Sequence, residues 1–264
     1  MTETLLQVDH LYKSFGGVQA VHDVSFEART EQILAIIGPN GAGKTTLFNM
    51  ISGVYPPDKG EVRFQGRRID TLAPHQVARL GIARTYQNVQ IFGNMTVLEN
   101  AMMGRYRHER TGLMASGLGL GRWEESETER RAMQRLRRVG LIDRAELQAP
   151  SLPLGEQKLL EMARALASEP SLLLLDEPTA GLNRVETIRL AATISRIQAN
   201  KMTVLLVEHD MNLVMSIADW VVVLNYGEKL AEGPPAQIRN DPRVIEAYLG
   251  RENGRSGEGR ETRP

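Results

Sequence analysis

Gly38-Pro39-Asn40-Gly41-Ala42-Gly43-Lys44-Thr45 follows directly on the apolar run Ile33-Leu34-Ala35-Ile36-Ile37. The octet fits G-x-x-x-x-G-K-[ST] without a gap, and a strand before it with a helix after it is the context that makes this pattern a phosphate-binding loop. Glycines at 38, 41 and 43 let the backbone curl around phosphate and turn its N–H groups inward, and the free N–H groups at the start of the next helix favour an anion. Lys44 supplies a point charge for the β- and γ-phosphates, and the Thr45 hydroxyl can ligand magnesium. Average residue frequencies give on the order of 0.01 accidental matches in a chain of this length. The expected nucleotide-binding set is therefore Gly38, Pro39, Asn40, Gly41, Ala42, Gly43, Lys44, Thr45 and Thr46.

Outward from the octet the chain carries two kinds of strand. Apolar and polar residues alternate at Leu6 and Val8, at Val21, Val24 and Phe26, and at Val62 and Phe64, the period of strands buried on one face. Ile33–Ile37 breaks that habit, because a continuous apolar run is buried on both faces, as a parallel sheet requires. Leu172–Leu175, Thr203–Val207 and Trp220–Leu224 share its character, each after a helical stretch, which is the alternation of βαβ units. Helices are predicted over Lys44–Ser52, stopped by Gly53, over Glu156–Ser168 and over Val185–Gln198.

Residues 91–154 turn helix-like and strand-poor, with Val97–Met103 apolar and Glu125–Val139 alternating charge clusters with Met133, Leu136 and Val139. From Val89 to Tyr106 there are more apolar side chains than a short helix hides on one face. They read either as core of a helical insertion or as a groove for a membrane subunit, which adaptable methionines suit. The arginines at 130, 131, 135, 137 and 138 read as a solvated helix face. Ser116–Gly121 is the expected flexible point of the insertion.

The expected fold is α/β: a P-loop NTPase with a RecA-like, mainly parallel core sheet, an N-terminal antiparallel β subdomain and an inserted α-helical subdomain. One ATPase domain is expected over 1–250, its nucleotide-binding core at 1–90 and 155–250 and its helical part at 91–154. The tail 251–264 has glycine at 254, 257 and 259 among charged residues and is expected to be disordered.

Composition narrows the class further. The chain has 264 residues, and its 32 basic and 32 acidic side chains cancel, which argues against a bulk attraction to nucleic acid or anionic lipid. Hydrophobic residues make up 42 % and charged residues 24 %, so collagenous and largely disordered readings fall away. Without cysteine there is no disulfide scaffold, thiolate zinc site or cysteine nucleophile. No run approaches the roughly 20 apolar residues of a membrane-spanning helix. Met1–His10 lacks the features of a signal peptide, so a cytosolic placement is expected.

Leu172-Leu173-Leu174-Leu175-Asp176-Glu177 supplies the second half of a nucleotide site. A buried strand that ends in two carboxylates presents them at the sheet edge where ligands bind. Asp176 can hold magnesium, directly or through water, and Glu177 can polarise a water for attack on the γ-phosphate. His209 follows Val204–Val207 and would emerge at the same edge. Spacing alone assigns nothing to Gln87.

Taken in order, these residues resemble the nucleotide-binding subunits of ATP-binding cassette (ABC) transporters, from about Leu5 to Gly250. The resemblance also rests on Gln87 in Ala83-Arg84-Thr85-Tyr86-Gln87-Asn88 at the Q-loop and on Leu152-Pro153-Leu154-Gly155-Glu156 at the signature. Ala180-Gly181-Leu182-Asn183 matches the D-loop and His209 the switch histidine. It implies that Phe15, or else Tyr12, stacks on adenine, that Gln87 contacts magnesium and the attacking water, and that His209 contacts the γ-phosphate. It implies ATP and Mg2+ as cofactors, with Thr45, Gln87 and Asp176 toward the metal. It implies a second ATPase subunit, like or unlike, to whose ATP this chain would present Pro153, Leu154, Gly155 and Glu156. Transmembrane permease subunits and an extracytoplasmic substrate-binding protein complete the implied assembly, which places this chain at the cytoplasmic face of the membrane as a peripheral subunit.

The signature departs from the family's commonest Leu-Ser-Gly-Gly-Gln: Pro153 replaces serine, Leu154 the first glycine and Glu156 the glutamine, while Asn183 replaces the D-loop aspartate. A lost hydrogen bond to a charged group is worth about 1.5–3 kcal/mol, so the site completed by this segment is expected to be weaker. The Leu-x-x-Gly signature, Ala-Gly-Leu-Asn, Asn225-Tyr226-Gly227-Glu228-Lys229 and Glu246-Ala247-Tyr248-Leu249-Gly250 are similar to the ATPase subunits of branched-chain amino-acid importers. Arg184 and Glu156 are less typical of them. The alternatives are an ABC ATPase energising another cargo, such as lipid or lipopolysaccharide, and a soluble ABC ATPase acting on nucleic acid. The latter usually shows coiled-coil arms or paired cassettes, and no nucleic-acid partner is expected. A GTPase switch lacks its Asn-Lys-x-Asp, since Asn200-Lys201 is followed by Met202-Thr203.

Overall fold

The computed structural model describes residues 3–105 and 121–249. Strands β1 (Thr4–Phe15) and β2 (Val18–Arg29) form a hairpin. Its two-residue link, Gly16-Gly17, has φ of 53° and 85°, the left-handed pair that a type I′ turn demands and that glycine supplies at least cost. β1 also pairs antiparallel with β4 (Lys59–Phe64), which pairs with β5 (Arg67–Arg68). Alternate residues, among them Leu6, Val8, Val24, Phe26, Val62 and Phe64, are buried on one face of this sheet. That is the period legible in the sequence.

The second sheet has the order β10-β9-β3-β8-β7-β6. Its strands are β3 (Ile33–Ile37), β6 (Ile82–Arg84), β7 (Leu172–Asp176), β8 (Thr203–Val207), β9 (Trp220–Asn225) and β10 (Glu228–Gly233). All pairings are parallel except β10 with β9. Every residue of β3, β7 and β8 is buried, each large apolar side chain contributing about 1.5–3 kcal/mol.

The helices are α1 (Lys44–Ile51), α2 (Pro74–Leu80), α3 (Val97–Met103), α4 (Gly121–Val139), α5 (Leu154–Ala167), α6 (Arg184–Ala199), α7 (Met211–Ile217), α8 (Pro235–Ile238) and α9 (Pro242–Leu249). One core lies between the two sheets around Phe48 and Leu47 of α1. A second covers the other face of the parallel sheet and joins α3, α4, α5 and α6 through Val97, Leu136, Leu159 and Ile194. A third packs α7, α8 and α9 on β3 and β9.

Around the insertion the sequence reading is refined. Val97, Leu98 and Ala101 are core, whereas Phe92 and Met103 stay 40 % and 38 % exposed. The arginine face of α4 is not uniformly solvated: the Arg135 side chain is only 15 % exposed. The cause is Glu169, just past α5, whose carboxylate draws in Arg105, Arg131 and Arg135. Burial and the like charge of Arg138 pull the Arg135 guanidinium below the usual arginine range. The expected flexible point, apart from Gly121, and the tail 251–264 lie outside the described residues.

Candidate active site

Strand order brings the chemistry to one edge. β3 sits between β8 and β9, and β7 is the next strand beyond β8. The residues that follow β3, β7 and β8 therefore leave the sheet side by side at its C-terminal rim, where open parallel sheets bind ligands.

The loop 38–43 is shaped by close approaches. A Cβ at Gly38 would lie 2.2 Å from the Leu224 carbonyl oxygen, and one at Gly43, whose φ is 97°, would lie 2.3 Å from that of Ala20. Only glycine fits at either position. Lys44 is 5 % exposed, and its Nζ donates to the carbonyls of Gly38 at 2.7 Å and Pro39 at 3.0 Å, so the cation is folded into the loop that would receive phosphate. Behind the loop, Tyr248 of α9 approaches the Gly38 backbone, yet its buried hydroxyl closes no hydrogen bond. Burial pushes this phenol up to about 12.

Asp176 and Glu177 are held differently. Asp176 Oδ2 accepts from Arg84 Nη2 at 2.7 Å, with both side chains 7 % exposed. Glu177 adopts a left-handed φ of 44°, a conformation that costs a non-glycine residue about 1–2 kcal/mol and is found where a site imposes it. Its Oε2 accepts from Gln87 Nε2 at 2.7 Å and lies 4.0 Å from His209 Nδ1. Gln87, Glu177 and His209 are thus brought together, with Asp176 adjacent in the chain.

Beneath this cluster is Glu208, fully buried, whose Oε1 accepts from Thr179 N at 2.9 Å and Thr179 Oγ1 at 2.6 Å. Its Oε2 accepts from His209 N at 3.1 Å. One carboxylate therefore anchors the turn after β7 to the turn after β8. Lys158 reaches in from α5, 3.5 Å from the Glu177 carbonyl. Burial pulls its ammonium below the usual lysine range, against the opposing carboxylates of Glu208, Glu161 and Glu177.

Phe15 ends β1, 43 % exposed and edge-on to Tyr55 at 5.4 Å. The competing aromatic, Tyr12, is half-buried and edge-on to His22 at 5.3 Å. Phe15 has the freer ring.

Pro153, Leu154, Gly155 and Glu156 have other neighbours. Pro153 precedes α5 without a side-chain cap. Leu154 lies against the Gly181 position and Gly155 against the Glu186 side chain. Glu156 faces Arg144 at 3.7 Å and Arg189 at 3.5 Å. Asn183 caps α6, its Oδ1 accepting from Val185 N at 2.9 Å and Glu186 N at 3.0 Å. That function needs only a side-chain oxygen, which the family's aspartate also has.

The set formed by the Thr45 hydroxyl, the Asp176 carboxylate and the Gln87 amide offers hard oxygen donors of the kind magnesium takes. No group of three or more His, Cys, Asp or Glu among the described residues could hold a metal ion alone. Few protein donors with substrate phosphates completing the shell is the usual arrangement for Mg2+.

A family model described as ABC transporter matches residues 21–180, and one described as branched-chain amino acid ATP-binding cassette transporter matches 228–253. The chain belongs to the ABC transporter family. This ABC ATPase is 44 % identical over 253 residues to the high-affinity branched-chain amino acid transport ATP-binding protein LivG of Salmonella typhimurium, covering 95 % of this chain and 99 % of that one. It is equally similar, over the same shares, to BraF of Pseudomonas aeruginosa, which carries the same description. Among solved structures, the ADP conformation of MJ1267, an ATP-binding cassette of an ABC transporter, matches with a TM-score of 0.84 at 31 % identity, covering 94 % of this chain and 100 % of that one. The cassette binds and hydrolyses ATP. No helix among its described residues is long and apolar enough to cross a membrane.

Arg84, Lys158 and Glu208 do not stand out in the sequence as residues of the site. Glu208 carries the one accessible signal: like Asp176, it stands at the end of an apolar strand run.

Proposed function

We propose that this ABC ATPase powers the uptake of branched-chain amino acids, working in a pair with a second ATPase subunit beneath transmembrane permease subunits. The observation that carries the cargo is the 44 % identity to LivG along 95 % of the chain, joined by the C-terminal match at 228–253. The permease would receive substrate from an extracytoplasmic binding protein, and the cassette would sit at the cytoplasmic face as a peripheral subunit.

In this reading ATP lies on loop 38–43, with its phosphates on the backbone N–H groups, Lys44 and the start of α1, and adenine on Phe15. Thr46, on the first turn of α1, adds a hydroxyl beside the phosphates. Thr45, Asp176 and Gln87 would hold magnesium, which when bound would supply positive charge to the phosphate oxygens. Glu177 takes the proton of the attacking water, a contribution of about 10²–10⁴-fold for a placed general base. His209 meets the γ-phosphate from the neighbouring strand end.

Leu154, Gly155 and Glu156, which follow Pro153, pack beside the start of α6 in the same chain. That placement supports their serving the ATP of a second subunit, with Asn183 nearby in the D-loop. Lacking the signature serine, this half of the contact rests on backbone N–H groups of α5 and on Gly155.

The test is purification of the intact assembly from its native membrane, reconstitution into liposomes, and ATP-driven uptake of radiolabelled leucine, isoleucine and valine with the binding protein present. Saturable uptake that other amino acids and lipid do not replace is expected. ATPase activity stimulated by lipid or lipopolysaccharide alone would assign a different cargo.

A further inference from the structure

We propose that Arg84 is a positioning residue for the metal-binding carboxylate, fixing Asp176 relative to the helix that bears Thr45. The proposal rests on the reading of loop 38–43 as a Mg-ATP site.

Arg84 ends β6, beside the end of β7. Its Nη2 holds Asp176 Oδ2 at 2.7 Å, and its Nη1 donates to Asn49 Oδ1 and Ser52 Oγ, both at 2.8 Å. Asn49 lies in α1 and Ser52 is its C-cap; α1 begins at Lys44 and Thr45. The guanidinium lies 5.7 Å from the Phe48 ring centroid and 5.0 Å from that of Tyr86. A planar group bonded through both terminal nitrogens, with its buried Nε unpartnered, and lying near two rings has little freedom left, which suits arginine and not lysine.

The consequence is geometric. Thr45 and Asp176 come from different elements, and magnesium tolerates little departure from octahedral geometry at its short bond lengths. Arg84 bridges these elements directly, using Oδ2 of Asp176 and leaving Oδ1 for the metal or its water. Three residues further on, the same strand delivers Gln87. Groups that orient a metal's ligands typically change metal affinity by about 10- to 100-fold when removed.

The experiment uses the full chain with Glu177→Gln as the parent, so that nucleotide is not consumed. Binding of methylanthraniloyl-ATP is followed by fluorescence, first in EDTA and then across a Mg2+ titration. In Arg84→Met the half-saturating Mg2+ is expected to rise by about 10- to 100-fold, well beyond any change in affinity in EDTA. Arg84→Lys, which keeps the charge without the fork, is expected to recover only part of the loss. Circular dichroism reports folding. Should Arg84→Met not fold, Asn49→Ala decides the question, with an expected rise of about 2- to 10-fold for one lost hydrogen bond.

An unchanged half-saturating Mg2+ in the folded variant overturns the assignment. So does a lower one, which would make Arg84 a competitor of the metal. A parent that binds no nucleotide, or gains nothing from Mg2+, overturns the Mg-ATP reading itself and this proposal with it.

Discussion

Gln87 Nε2 donates to Glu177 Oε2 at 2.7 Å, joining the loop after β6 to the turn after β7. Glu177 needs the restraint: its backbone is left-handed, and a carboxylate on such a turn must be aimed if it is to receive a proton from one particular water. Gln87→Ala is expected to lower kcat by about 10- to 100-fold, the cost of a reacting group displaced by about 1 Å. The affinity for ATP in the absence of metal should change little. Single-turnover phosphate release beside equilibrium nucleotide binding separates the two.

Tyr248 provides a pH signature. Its phenol is raised by burial from 10.0 to about 12 in the folded chain. Between those values the unfolded chain loses its proton first, so the stability present below pH 10 declines as pH rises toward 12. The full effect is about 2–3 kcal/mol. Tyr248→Phe removes the titrating group together with an unpartnered hydroxyl. It should match or exceed the parent in stability at neutral pH and show a shallower fall in urea-unfolding free energy across the alkaline range. Parallel declines in both proteins would contradict the assignment.

Asn183 caps α6 with a single side-chain oxygen. Asn183→Ala should therefore destabilise the chain by about 1 kcal/mol, within the range of about 0.5–2 for lost caps, while Asn183→Asp retains the cap. Urea midpoints at constant slope measure this directly. Equal loss in both variants would show that the amide nitrogen, not the oxygen, matters.

The legible parts of the fold are those in which one physical constraint fills several consecutive positions. Ile33–Ile37 and Leu172–Leu175 are apolar at every position because they are buried on both faces, and the structure ends those strands within one residue of the expected bounds. β6 is only three residues, Ile82-Ala83-Arg84, too short to establish a period, so the strand that delivers both Arg84 and Gln87 stayed invisible. Long-range pairing was hidden for the same reason. Arg135 reads as solvated from its own helix, and only the fold brings Glu169 to it. Asp176 was recognisable as a carboxylate at a strand end, whereas its partner comes from 92 residues away in sequence.

In the proposed mechanism the ATPase chemistry turns on Glu177. The direct measurement compares Glu177→Gln with the parent for equilibrium ATP binding and for steady-state phosphate release from the same preparation. Binding should persist while release falls by at least about 100-fold, the lower range for loss of a general base. Undiminished phosphate release with binding intact would contradict it.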